Sequence, residues 1–261
     1  MLARRLARTG AAAFAATILM VAAIDAAIAQ GSSIYQATLA EPNQRTAEVS
    51  TEELRRILAD GSAIVVDSRK RSEYVAGHIA GARNVAPAAD APPSEYIAAI
   101  ERLLGGDKSK ALVLYCNGPH CQASRQLSDQ LVAAGFTNVR RYQLGIPIWR
   151  ALSGPVEIEL EGVVRIYEVD RTAVFFDARS AEEFAKASLP VTHNVPADSV
   201  ASSGLGKAPL PRDDFNTRVV LFGRDAAQAR KLADAIGKTP YQNVSYFPGS
   251  FEALAAAVKA K

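Results

Sequence analysis

Residues 63–69 read AIVVDSR, and residues 173–179 read AVFFDAR. The likeness spreads outward from this pair at a fixed offset of 110: Asp67 answers to Asp177, Arg69 to Arg179, Glu73 to Glu183, Tyr74 to Phe184 and Asn84 to Asn194. Farther along, LVLYC at 112–116 matches VVLFG at 219–223, an offset of 107, and FTNV at 136–139 matches YQNV at 241–244, an offset of 105. Two small deletions account for the drift. Similarity at a near-constant offset marks a duplicated unit of roughly 105 residues.

Within each unit, strand and helix signals alternate. STEELRRILADG (50–61) opens with a capping-box pattern, Ser50 to Glu53, and lines up Leu54, Ile57 and Leu58 on one face. AIVVD (63–67) and ALVLY (111–115) are short apolar runs, as expected of strands buried on both faces. PSEYIAAIERLLGG (93–106) is an amphipathic helix closed by glycine, CQASRQLSDQLVAAG (121–135) a helix with Leu127 and Leu131 inward, and NVRRY (138–142) a third strand. This alternation predicts an α/β protein of two similar domains, each a mainly parallel sheet flanked by helices.

The chain has 261 residues, enough for two such domains, and its 49% hydrophobic content can bury a core in each. The net charge is +3, of which Arg4, Arg5, Arg8 and Asp25 contribute +2 within the first 29 residues. The nearly neutral remainder carries no basic stripe, which argues against nucleic acid as a partner. MLARRLARTG is a charged leader, AAAFAATILMVAAI an apolar run too short for a bilayer span, and AIA before Gln30 supplies small residues at Ala27 and Ala29. Residues 1–29 are expected to be a cleaved signal peptide that meets the membrane only during export, leaving a soluble periplasmic protein. The expected division is 30–46 as an extension, 47–153 as the first domain and 154–261 as the second.

Both cysteines lie in LYCNGPHCQASRQL, residues 114–127. The loop CNGPHC falls between a strand end and a helix start, where ligands bind in parallel sheets. There Cys116 faces unpaired amides and the positive end of a helix dipole, which favours its thiolate. Gly118 lets the backbone turn inward, and Pro119 fixes the turn while removing one N–H. His120 can donate a hydrogen bond or hold a proton, and Arg125, one turn into the helix, can add positive potential. Each also has a plainer reading: a small buried hydrophobe for Cys116, a solvated side chain for His120, a surface ion pair for Arg125. His78, in GHIAGA, reads as a structural residue that fixes a turn.

The stretch VVDSRKRSEYVAGHIAGARNV (65–85), the cysteine loop after a strand, and GFTNVRRYQLGIPIWR (135–150) together resemble the rhodanese family. Both copies resemble rhodanese domains, and together they cover nearly all of residues 47–257. The resemblance implies a sulfurtransferase in which Cys116 carries a persulfide. It implies an anion cradle from the backbone N–H groups of 117–122, Pro119 excepted, so that Asn117, Gly118, His120, Cys121, Gln122 and Arg125 are the candidate substrate-binding residues. The implied partners are a small sulfur-containing anion as donor and a thiol or cyanide as acceptor, with a protein thiol among the acceptors; no cofactor and no metal are called for. Pro119 and Cys121 depart from common family loops, and Leu144-Gly145 stands where Gly-Gly is usual. The second copy has Gly223 in place of the cysteine and a shorter loop, GRDAAQAR (223–230), so it is expected to be degenerate. A cysteine phosphatase of related fold would need arginine where Gln122 stands. Three other readings compete: a dithiol–disulfide site or sulfur-carrier binding protein using Cys116 and Cys121, a metal clip formed with His120, and a binding module without catalysis.

Overall fold

The computed structural model describes residues 33–86, 91–200 and 209–259. Thr38–Lys261 forms one compact unit that holds both copies. In the remaining unit, Met1–Ala37, the described residues form a turn closed by the Gln36 amide donating to the Ser33 carbonyl (2.7 Å). The expected signal peptide, 1–29, lies outside the described residues. Among those described, no helix is long and apolar enough to cross a membrane.

The first copy contains β1 (Ala47–Glu48), α1 (Thr51–Asp60), β2 (Ile64–Asp67), α2 (Arg71–Val75), β3 (His78–Ile79), β4 (Arg83–Asn84), α3 (Pro93–Leu103), β5 (Leu112–Tyr115), α4 (Gln122–Ala133), β6 (Val139–Tyr142) and α5 (Gly145–Ala151). The second contains β7 (Val156–Glu157), α6 (Leu160–Val169), β8 (Val174–Asp177), α7 (Ala181–Lys186), β9 (Thr192–Asn194), β10 (Val219–Gly223), α8 (Ala226–Gly237), β11 (Val244–Ser250) and α9 (Phe251–Lys259). Strand order in the first sheet is β1-β6-β5-β2-β4, every pair parallel. The second repeats it as β7-β11-β10-β8-β9, again parallel, and adds β3 at its edge.

Alternation along the strands explains the unbroken apolar runs. Val65, Val113 and Tyr115 pack into one core, while Val66, Leu112 and Leu114 pack into another. The second sheet sorts Phe176, Val219 and Leu221 from Phe175, Val220 and Phe222 in the same way. Successive strand side chains point to opposite faces, and helices cover both, so neither face needs polar residues. Helix α1 begins as its sequence implies: Ser50 Oγ accepts from the Glu53 amide, and Gly61 ends it at φ 67°. The reciprocal capping box is complete only in the second copy, between Ser180 and Glu183.

The repeated Asp-x-Arg is an internal brace. Asp67 accepts from the Arg69 amide (2.9 Å) and from Nη2 of Arg69 (2.6 Å), and Arg69 Nη2 also donates to the Gly77 carbonyl (2.8 Å). Asp177 and Arg179 repeat the geometry at 2.9 and 2.6 Å, with the Ala187 carbonyl in place of Gly77. Asn84 and Asn194 each donate to the two carbonyls of their own brace. Both carboxylates are fully buried. Removing either arginine would leave an uncompensated buried charge, a cost of about 3–5 kcal/mol.

The copies interlock through an exchanged strand. β3, from the first copy, pairs antiparallel with β7, joining His78 to Glu157 and Ile79 to Val156. Buried His78 stacks on Tyr74 at 3.7 Å, and its Nε2 lies 3.4 Å from the Glu157 carboxylate. The histidine expected to fix a turn thus also links α2 of the first copy to β7 of the second. Residues 38–46 also pack on the first copy, where the Glu41 carboxylate meets Arg141 at 2.7 Å.

Candidate active site

β5 ends at Tyr115 and α4 begins at Gln122. Residues 116–121 therefore lie beyond the carboxyl ends of parallel strands, the ligand-binding edge of such sheets. Beneath them, Tyr115 is fixed from both ends. Its hydroxyl donates to Asp67 Oδ2 (2.7 Å) and accepts from the Ile79 amide (3.0 Å), while its carbonyl accepts from the Ser68 hydroxyl (2.7 Å). Burial, reinforced by the Asp67 charge, pushes the Tyr115 hydroxyl well above the usual range, so it remains a donor. The Asp67–Arg69 brace thus positions the strand end that carries Cys116.

Cys116 is 3% exposed, while Asn117, Pro119 and His120 are open to solvent. Two glycines shape the loop. Gly118 has φ 103° and Gly145 has φ 64°, both in the left-handed region where a side chain is strained. A Cβ on Gly145 would strike the Cys116 carbonyl oxygen and the Gly118 nitrogen. Gly145 is therefore the residue that lets α5 reach the loop, where the Ile146 amide donates to the Cys116 carbonyl (3.1 Å).

The amide cradle implied by the family resemblance needs one correction. The Cys121 N–H donates to the Gly118 carbonyl (3.0 Å), closing the turn, so it does not face a ligand. The amides of Asn117, Gly118, His120 and Gln122 have no acceptor among the described residues. Side chains separate further. Asn117 Nδ2 donates to Glu73 Oε1 (2.6 Å) and ties the loop to α2. Arg125 is turned to residues 38–46, with Nη2 on the Pro42 carbonyl (3.0 Å) and Nε 3.9 Å from Glu41. That is the surface pairing its position also allowed, not a contact with the loop. His120 and Gln122 are exposed beside the cysteines.

Cys116 and Cys121 are joined by a disulfide, with Cα atoms 6.1 Å apart. That separation lies inside the usual range of about 4.4–6.8 Å. Among the described residues, no cluster of three or more His, Cys, Asp or Glu side chains is placed to hold a metal ion. Glu73 and Gly145 were visible in the sequence only as members of the repeat and of the closing segment. Their contacts with the loop come from the folded chain.

The equivalent place in the second copy is closed. Gly223 ends β10, and a Cβ there would lie 2.9 Å from Gln228 Oε1. That oxygen accepts from the Arg224 amide (2.9 Å), so a side chain of the protein occupies the donor next to the missing cysteine. Arg224 also pairs with Glu183 (3.2 Å), matching the Asn117–Glu73 contact of the first copy.

Two parallel α/β sheets of one topology, with a cysteine loop at the mouth of the first, define a tandem domain pair. Both copies match the model of the rhodanese-like domain, over residues 50–152 and 165–257, and the chain belongs to this family of sulfurtransferases. It is 29% identical over 101 residues to the thiosulfate sulfurtransferase GlpE of Pseudomonas fluorescens, covering 39% of this chain and 82% of that one. The GlpE of Pseudomonas entomophila is 31% identical over 103 residues, covering 40% and 84%. Among solved structures, a thiosulfate sulfurtransferase from Pseudomonas aeruginosa is similar at 21% identity, over 80% of this chain and 44% of that one, with a TM-score of 0.35.

Proposed function

We propose that Cys116 carries sulfane sulfur as a persulfide, taking it from a thiosulfate-like donor and passing it to a thiol, a protein thiol included, or to cyanide. The supporting observation is its position: a buried cysteine at a parallel strand end, heading a glycine-shaped loop whose amides at 117, 118, 120 and 122 have no acceptor among the described residues. In the first step the Cys116 thiolate attacks the outer sulfur of thiosulfate. A sulfur–sulfur bond to Cys116 forms, the donor's own breaks, and sulfite leaves with the electron pair. Those loop amides then face the negative charge on the terminal sulfur. In the second step the acceptor takes that sulfur and returns the thiolate. We place this chemistry in the periplasm, to which residues 1–29 would direct the chain.

The disulfide of Cys116 with Cys121 favours one second reading, a dithiol–disulfide site. Sulfite release and intact mass together separate the two. Reduced protein treated with thiosulfate releases sulfite if Cys116 becomes a persulfide, with a gain of about 32 Da while the sulfur stays bound, and loses about 2 Da without sulfite if the pair only oxidises to the disulfide. A protein that shows neither sulfite release nor the mass gain refutes the sulfur-carrier reading.

A further inference from the structure

The two loop sulfurs are within bonding reach of each other, and Cys121 stands in an unusual place. It is the N-cap of α4, a position that favours residues whose side-chain oxygen accepts a first-turn amide. Cys121 makes no such bond. The corresponding cap in the second copy is Asp225, which accepts from the Gln228 amide (2.9 Å). The first copy thus forgoes a capping bond and holds a cysteine sulfur there, joined to the sulfur of Cys116. Both lie by the start of a 12-residue helix, whose dipole favours negative charge on either.

We infer that Cys121 is a second catalytic residue, through which the protein reduces the sulfur held on Cys116 and releases it as hydrosulfide. This rests on the sulfur-carrier reading above. The Cys121 thiolate attacks Sγ of Cys116 in the persulfide Cys116–S–SH. The Cys116–Cys121 bond forms, the bond to the outer sulfur breaks, and HS⁻ departs with the electron pair. The outer sulfur gains two electrons, and the two cysteines are oxidised to the disulfide. An external dithiol then returns both thiols, supplying two electrons and two protons and becoming a disulfide itself. The disulfide in the structure is the state that follows sulfide release. The reaction consumes a sulfane-sulfur donor and a dithiol, and yields sulfide.

The test uses the full chain, reduced, freed of reductant without air and given thiosulfate for one turnover. Sulfite, sulfide, free thiols and intact mass are measured together. The expected result is sulfite and sulfide in equal amounts, with loss of both thiols. Cys121→Ser and Cys121→Ala should release sulfite but retain the sulfur, a gain of about 32 Da, with no sulfide. Wild-type protein that releases sulfite and keeps a stable persulfide would overturn this inference and leave the carrier reading intact. So would sulfide from the Cys121 variants at the wild-type level. Absence of both sulfite and persulfide in the wild type would overturn the two together.

Discussion

At the end of β5 the chain places Cys116, and at the end of β10, 107 residues on, it places Gly223. The strands beneath are alike, the Asp-x-Arg braces agree to 0.1 Å in the bonds they share, and Glu73 and Glu183 each tie down the residue that follows. What differs is the space above. In the first copy a longer loop, turned by Gly118 and approached by Gly145, leaves amides without an acceptor among the described residues. In the second, Gln228 fills that space and takes the Arg224 amide. Scaffold and site have parted: the fold needs the brace and the sheet, but only the chemistry needs the loop. In place of the first copy's closing Gly145, the second carries Ser250, level with Gly223 in the sheet.

The harshest test of this contrast is Cys116→Ser in the full chain. A hydroxyl is a far weaker nucleophile near neutral pH, so thiosulfate-to-cyanide transfer should vanish. Adding Gly223→Cys to that variant should restore nothing, because the new side chain meets Gln228 and a shorter loop. Transfer by the single variant would sink the Cys116 mechanism, and transfer gained only with Gly223→Cys would show that the second copy is competent after all. The full chain is the proper vehicle, since β3 completes the second sheet and a fragment of the second copy would lose it.

Gly145→Ala should come next in size. Its methyl group would strike the loop that Cys116 begins, at a φ of 64° that alanine tolerates poorly. Displacing a reacting group by about 1 Å can cost about 10²-fold in rate, and alanine at positive φ destabilises by about 1 kcal/mol or more. Steady-state transfer rates and a denaturation curve measure both. Ser250→Ala at the matching position should leave the rate unchanged, and an equal loss there would erase the distinction between the loops.

The smallest effects concern the two carboxylates that end β1 and β7. Burial raises Glu48 from 4.5 to about 7, with Arg141 opposing it. Burial also pushes Glu157 upward, but hydrogen bonds from His78 and Tyr246 outweigh it and leave its carboxyl below 4.5. The signs therefore oppose. For Glu48 the folded state holds its proton more tightly, so that contribution to stability is full below pH 4.5 and is lost as pH rises toward 7. For Glu157 the contribution is present above pH 4.5 and is lost as pH falls through its lowered value. Unfolding free energies across pH should show Glu48→Gln flattening the upper window and Glu157→Gln the lower one. Both variants flattening the same window would contradict the assignment.

Much of this was legible in the order of residues. The repeat offset, the alternation of short apolar runs with amphipathic helices, and the cysteines between a strand and a helix are local patterns, set by side-chain periodicity and by where the chain must turn. They establish two copies of one α/β domain and mark Cys116 as the residue that the second copy lacks. The folded chain decided which groups meet across long separations. β3 joins the sheet of the other copy, Arg125 turns to residues 38–46, Gln228 fills the vacant loop, and the Cys121 amide closes a turn while its sulfur reaches Cys116. A periodic pattern tells which face of an element is buried. It does not tell which of several polar partners a side chain will reach, because that depends on how distant segments pack and on the one rotamer the packing leaves open.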